Sequence, residues 1–425
     1  MRLRLRLRLR LRLRLRLRLR LRLRLRLRLR LRGNIITLMN KRIIQISAPS
    51  MGIEEWEALR QPIESGWITQ GPMVAAFEKD FAQRHQVQHA LAVSNCTTAL
   101  HLALLAAGIQ PGDEVLLPAF TWVSTANAIM YCQAVPVFVD IDVATFNIDI
   151  AAINNKISSR TKAIIPVHLF GLCADVNAIK QAYPHLVIIE DAACAAGAAL
   201  HGQSAGSLGD IGCFSFHPRK SITTGEGGML TTNDAIIAAK LNQLRNHGAS
   251  ISEEQRHLGP KPYLLAEYDV VGYNYRMTDL QGALGLVQLK KLDAFIAERA
   301  NWAAYYNNEL QSIPWLQTPT VPIGYTHGWQ SYVTLIDERI APLKRNDLME
   351  ALQEAGISTR PGTHAVHMLG AYAKPFGIQP SDFPNAYAAN EYSMSLPLHN
   401  RMAKFEHLQL MELPINVEAV RAHGY

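Results

Sequence analysis

From residue 88 onward, short β-rich apolar runs alternate with helical stretches. HALAVSN leads into TTALHLALLAAG, DEVLLPA into WVSTANAIMYC, VPVFVDID into IDIAAINNKI, and TKAIIPVHLFG into DVNAIKQAYP, with HLVIIEDA following. This strand–helix alternation predicts an α/β fold with a mainly parallel central sheet and helices on both faces. FSFHPRK reads as an aromatic-rich strand, and the glycine-rich turn TTGEGG comes after it. DAIIAAKLNQLRNHG, after residue 230, reads as a helix, and residues 280–310 as a longer one. WQSYVTLID then reads as a strand of a smaller C-terminal α/β domain. The expected divisions are a low-complexity extension at 1–38, an N-terminal segment at 39–70, a large domain at 71–290 and a small domain at 291–425.

Composition changes the picture in one place. The 425 residues carry 43 Lys and Arg against 35 Asp and Glu, a net of +8. Residues 2–32 alternate Arg and Leu and hold 16 of the arginines. Without them 27 basic side chains face 35 acidic ones, so the body is acidic, at −8. An alternating Arg-Leu strand would have one apolar and one cationic face, suited to anionic membranes or nucleic acid. Against that, an arginine at every second position cannot lie in a bilayer, and like charges oppose packing. The expectation is a disordered or artefactual extension, with Met39 as a natural beginning. The stretch lacks the apolar core of a signal peptide. Nothing else approaches the ~18 apolar residues of a membrane span. Five scattered cysteines form no CxxC pair with zinc-site spacing and suggest a reducing cytoplasm.

Several strand ends carry candidate chemistry. In SNCTTALHLALLAAG a helix follows a strand directly, and Thr97 and Thr98 would offer hydroxyls and free N–H groups at its positive end, suited to a phosphate. Simple N-capping by Ser94 or Asn95 accounts for the same residues. Trp122 falls just past a strand end, where ligands bind in open α/β sheets, and could stack on a flat ring or serve as a core or interface aromatic. VIIEDAACAAG drives four apolar residues, counting Leu186, into Glu190 and Asp191. A shielded carboxylate there needs a cationic partner, either a pyridinium nitrogen or a Lys or Arg. A metal is the poorer reading, because no second carboxylate or histidine recurs at ligand spacing. Lys220, five residues past Ser215 and beside TTGEGG, could form a Schiff base with an aldehyde. Taken alone it would be a solvated charge; together with these neighbours it is a candidate for covalent chemistry.

Taken in order, these segments resemble the pyridoxal-phosphate (PLP) dependent sugar aminotransferases of the DegT/DnrJ/EryC1/StrS family, with the type I PLP fold. The resemblance runs from about Ile44 to Met402. It rests on SGWITQGP, SNCTTALHLAL, PAFTWVSTANAI, PVHLFG, EDAACAAG, FSFHPRKSITTGEGG, GYNYRMTDLQGALGLVQL and SLPLHNRM. It implies that Lys220 anchors the cofactor and shuttles protons, and that Asp191 holds the pyridine nitrogen. It further implies that Trp122 stacks on the ring, that Cys96, Thr97 and Ser215 cradle the phosphate, and that Asn274 reaches the phosphate of a neighbouring subunit. A homodimer with shared sites follows from the last role. Two positions depart from the commonest pattern. Cys194 stands where many members have His or Gln near the phenolic oxygen, and a thiol is a poorer donor. Cys96 replaces a frequent glycine. The closing residues, from AKFEHLQL onward, depart from the family's last helix.

The resemblance implies an amino group moved from glutamate, leaving 2-oxoglutarate, to a nucleotide-linked keto-sugar. SGWITQG points to 4-keto sugars by analogy. Trp67, His327 and Arg360 are candidate substrate contacts. A dehydratase of the same family is the nearest rival, but those members carry histidine where Lys220 stands. A non-catalytic membrane or nucleic-acid binder acting through the basic tail is a second rival. It predicts salt-sensitive binding lost with residues 1–38 and no bound chromophore.

Overall fold

The computed structural model describes residues 43–251, 261, 263 and 265–415. The Arg-Leu extension and residues 416–425 lie outside the described residues. Seven strands form the main sheet: β1 (His89–Val93), β2 (Glu114–Pro118), β3 (Val135–Val139), β4 (Thr161–Ile164), β5 (Val187–Asp191), β6 (Ile211–Ser215) and β7 (Gly228–Thr232). Their spatial order is β1-β7-β6-β5-β4-β2-β3. Only β7 runs antiparallel to its neighbours, β6 and β1; β6, β5, β4, β2 and β3 are mutually parallel. The C-terminal ends of β1, β2, β5 and β6 therefore share one edge, and that edge positions the site.

Both faces of the sheet are buried, which is why its strands read as near-continuous apolar runs. Helices α1 (Pro72–Arg84), α2 (Cys96–Ala106), α3 (Val123–Tyr131), α4 (Val176–Ala182), α5 (Ala235–Arg245) and α6 (Asp279–Leu310) supply most of the cover. Alternate strand residues divide between two cores. Leu91, Val93, Val115 and Leu117 pack with Leu100 and Leu104 of α2 and Leu241 of α5. Ala92, Leu116, Ile188 and Phe214 pack with Phe77 and Phe81 of α1 and Leu289 and Leu292 of α6. The period of two along each strand decides which core a residue enters.

β7 is a strand that the sequence pattern conceals. GMLTT opens on a glycine at the end of a glycine-rich turn, and all five residues are buried. The expected helix at 148–157 shrinks to Ile150–Ile153 and a single 3-10 turn, since Asn154 and Asn155 are weak helix formers. The WQSYVTLID strand appears as β9 (Tyr332–Ile336), between β8 (Leu316–Gln317) and β10 (Ser393–Leu396) in a small antiparallel sheet. Among the described residues no helix is long and apolar enough to cross a membrane.

Candidate active site

β1 hands the chain directly to α2. Asn95 is the N-cap, and its Oδ1 accepts the Thr98 N–H at 2.9 Å. The capping reading is thus correct, yet it occupies only the third helical N–H. A helix supplies no internal acceptor for its first N–H groups, so those of Cys96 and Thr97 suit an outside anion. The start of β7 crosses close by: a Cβ at Gly228 would lie 2.5 Å from the Asn95 carbonyl carbon and 2.9 Å from the Cys96 nitrogen. Only glycine permits that approach. Gly228 in turn pairs with Ser215, the last residue of β6. Cys96, Thr97 and Ser215, scattered in sequence, therefore come to one place.

Asp191 ends β5, in register with Cys213 of β6, and is 4% exposed. Its Oδ2 accepts the Thr125 hydroxyl at 2.8 Å and its Oδ1 the Ala193 N–H at 3.2 Å. Burial pushes its carboxyl above the ordinary range, while these two hydrogen bonds and the charges of Lys220 and His168 pull it back. Among the described residues no Lys or Arg forms a salt bridge with it. Among the described residues, then, no side chain supplies the cationic partner that such a carboxylate needs. Behind it, Glu190 accepts from His168 Nε2 at 2.7 Å, Gly206 N–H at 2.7 Å and Gly209 N–H at 2.6 Å. The Ala174 N–H donates to His168 Nδ1 at 3.0 Å, which places the imidazole proton on Nε2, toward Glu190.

Lys220 lies half-buried in the loop between β6 and β7, where its N–H closes a turn on the His217 carbonyl at 2.8 Å. Its Nζ donates to Cys194 Sγ at 3.2 Å. Burial drives the Cys96 thiol well above its usual pKa; Asp191 adds to that and Lys220 opposes it. Cys96 is therefore a neutral thiol lining the site. Arg360, half-buried, has Arg219 and Cys194 as its charged or titratable neighbours, and desolvation lowers its pKa. Its Nε is buried and has no hydrogen-bond partner among the described residues. Trp122, the N-cap of α3, is 53% exposed and meets His364 edge-on at 5.5 Å. That exposure removes the core-aromatic reading and leaves a free indole face at the strand edge.

Three expected residues have contacts of their own. His327 is buried, its Nδ1 accepting the Trp329 N–H at 2.8 Å and its ring stacked on Trp329 at 4.0 Å. It lines a different cavity, shared with Arg84, Ile296 and Trp329. Trp67 sits on the loop before α1, its indole N–H donating to the Gln70 carbonyl at 3.1 Å. Asn274 is exposed, and its backbone bridges to Asn246 rather than to the lysine cluster. Two residues escaped the sequence reading. Thr125 touches Asp191, and only its spacing of three from Trp122 hinted at a shared strand edge. Gln330 donates from Nε2 to the Arg219 carbonyl at 2.8 Å, bracing the residue before Lys220.

Residues suited to a phosphate, a pyridine nitrogen and an aldehyde thus meet at one sheet edge, so the donor set fits pyridoxal phosphate. Comparison with known proteins gives the class directly: an α/β PLP enzyme of the type I fold. The PLP form of Spr1654 from Streptococcus pneumoniae superposes with a TM-score of 0.80 at 27% identity, covering 90% of this chain and 99% of that one. The chain belongs to the DegT/DnrJ/EryC1/StrS aminotransferase family, matched over residues 49–412. It is 42% identical to the spore coat polysaccharide biosynthesis protein SpsC of Bacillus subtilis over 84% of this chain and 92% of that protein. It is 40% identical to the GDP-perosamine synthase of Caulobacter vibrioides over 84% and 93%. The protein is an enzyme, a PLP-dependent sugar aminotransferase. The family match also runs past Met402 into the helix Lys404–Ile415, so part of the divergent C-terminus belongs to it.

Proposed function

We propose that this enzyme transfers the amino group of glutamate to the keto carbon of a nucleotide-linked sugar, in the 4-keto-6-deoxy class, releasing 2-oxoglutarate and an amino-sugar for polysaccharide assembly. The observation that carries the reading is the Lys220 amine held 3.2 Å from Cys194 Sγ within the electrostatic reach of buried Asp191. Kinship with GDP-perosamine synthase supports the nucleotide-sugar acceptor. The cofactor supplies an electron sink for the carbanion formed when the α-proton leaves. Lys220 Nζ would be the group that takes that proton and gives it back. Asp191 would accept from the ring nitrogen and favour its protonated form. The first N–H groups of α2, with Ser215, hold the phosphate, and Trp122 covers the ring. Arg360, with its unpartnered Nε, receives the donor carboxylate. Asn274, exposed on its own chain, completes the site of a second copy in a homodimer.

The test is spectroscopic and then chemical. Protein loaded with PLP should show a visible absorbance band that glutamate bleaches and 2-oxoglutarate restores, and Lys220→Ala should lack it. Keto-sugar nucleotides of differing base and ring position, offered to the glutamate-treated enzyme, should restore the band only when they accept the amine. Wild-type protein that stays colourless with added PLP would sink the reading, and so would a band indifferent to every amino acid.

A further inference from the structure

The carboxylate that the proposed chemistry depends on is held by a residue with no part in that account. α3 begins with Trp122 as N-cap, so Thr125 is its third helical residue, in the first turn and fully buried. Its Oγ1 lies 2.8 Å from Asp191 Oδ2. Thr121 Oγ1 lies 3.3 Å from Thr125 Oγ1. A hydroxyl has one proton, and Thr125 gives its own to the carboxylate, so Thr121 donates to Thr125. Thr363 Oγ1 in turn donates to the Thr121 carbonyl at 3.1 Å, in the segment that carries Arg360 and pairs with Phe120–Thr121. The hydroxyls of Thr121 and Thr125 thus point their protons toward Asp191, the first polarising the second, while Thr363 holds the Thr121 backbone in place. The positive end of α3 adds to the same field.

We propose that Thr125 is a positioning residue for this aminotransferase: its hydroxyl fixes the Asp191 carboxylate in its ionised, acceptor-only form, ready for a protonated ring nitrogen. This rests on the proposed role of Asp191, but the hydrogen bond acts on the carboxylate whether or not cofactor is bound. Burial works against ionisation there, and Thr125 is the foremost group opposing it. The other groups facing Asp191 are Lys220 from the β6–β7 loop, His168 before α4, Cys96 of α2 and Cys213 of β6. Of these only Lys220 is a basic amine, and its proposed role would commit that amine to the cofactor. The fixed donor then becomes the larger share of what holds the charge. A packing role alone would need only the methyl and the volume, which valine keeps.

The experiment compares Thr125→Val and Thr125→Ser with wild type. In cofactor-free protein carrying 13C-labelled aspartate side chains, the Asp191 carboxyl is assigned by its loss in Asp191→Asn and titrated. Thr125→Val should raise the midpoint by about one pH unit, as expected for one lost hydrogen bond to a charged group. PLP affinity, followed by absorbance, should weaken roughly tenfold for the same reason. Thr125→Ser should return both to near wild type. If Thr125→Val does not fold, Thr125→Ala is read in the same way. An unchanged midpoint in the valine variant, or a serine variant that fails to restore it, overturns the proposal even if the melting temperature falls. Wild-type protein that takes up no PLP would instead strike at the proposed function, and the cofactor-free titration would still judge Thr125.

Discussion

At the scale of single residues the site is a set of charges left incomplete by the described residues. Among these residues Asp191 has no salt-bridge partner, and Arg360 has a buried Nε without an acceptor. Desolvation lowers the Arg360 pKa, and the second guanidinium, Arg219, adds to that effect. An anionic substrate relieves both, so binding energy and charge neutralisation act together. Arg360→Ala is expected to raise the half-saturating glutamate concentration roughly 10- to 150-fold, the scale of a lost charge-assisted hydrogen bond, with a smaller change in kcat. Arg360→Lys should recover part of it, because an ammonium keeps the charge but not the planar fork. Steady-state kinetics with varied glutamate at saturating acceptor checks this; an unchanged KM for the alanine variant removes Arg360 from the donor site. The residue alphabet made some of this legible. Asp191 stood out because an apolar run ended in a carboxylate, and Lys220 because glycines and hydroxyls crowded it. His327 drew attention for its chemistry and proved to be a buried ring stacked on Trp329. Thr125 and Gln330 stayed hidden because their roles depend on what faces them across the fold, which composition does not encode.

At the scale of elements, one side chain organises two helices. Thr278 caps α6 and accepts the Gln281 N–H, while the next residue, Asp279, caps a different helix. Its Oδ1 accepts Gly71 N–H at 2.8 Å and Val74 N–H at 3.0 Å, and its Oδ2 accepts Met73 N–H at 3.1 Å. The Asp279 N–H donates to the Thr69 carbonyl at 3.0 Å, tying down the loop that carries Trp67. Gly71 cannot cap α1 for itself, since it has no side chain. Asp279→Ala would leave two buried donors and one half-buried donor unanswered, and we expect a loss on the order of 2–3 kcal/mol of stability by denaturant unfolding. Arg60→Ala breaks an exposed pair with Glu64 and should change it by less than about 0.5 kcal/mol. Equal effects from the two would show that the buried cap does not hold α1. Here too the sequence was partly readable. The strand–helix alternation located β1 to β5 because parallel strands buried on both faces are apolar throughout, while the aromatic run FSF marked only the end of β6, which begins at Ile211. β7 was lost because its pairing with β1 and β6 is long-range and its first residue is a glycine chosen for contact with Asn95, not for strand propensity.

At the scale of the whole molecule, the buried histidines set how the fold responds to acid. His85 is fully buried, stacked on Phe81 at 4.2 Å, with Nδ1 at 3.0 Å from the Ala205 carbonyl and Nε2 without a partner. Burial pulls its pKa down to about 4, and burial likewise pulls His327 to about 3. The folded chain therefore keeps both rings neutral, while the unfolded chain protonates them near pH 6.5. Between those values the unfolded state binds more protons, so stability is full above pH 6.5 and falls as the pH drops toward 4. Asp191 and Asp279 shift the other way: burial raises their carboxyls, so acidification favours the fold through them, opposing part of the loss. For the histidines the loss at pH 5 is on the order of 1–2 kcal/mol each, enough to show in a small marginal total. Urea unfolding at pH 7 and pH 5 should give a clear drop for wild type. The double variant His85→Gln, His327→Gln keeps polar groups that do not titrate, so its drop between the two pH values should shrink by a few kcal/mol, whatever it loses at pH 7. A double variant with the wild-type slope would place the acid sensitivity in other groups, His399 and His407 first among them, since burial lowers both to about 4.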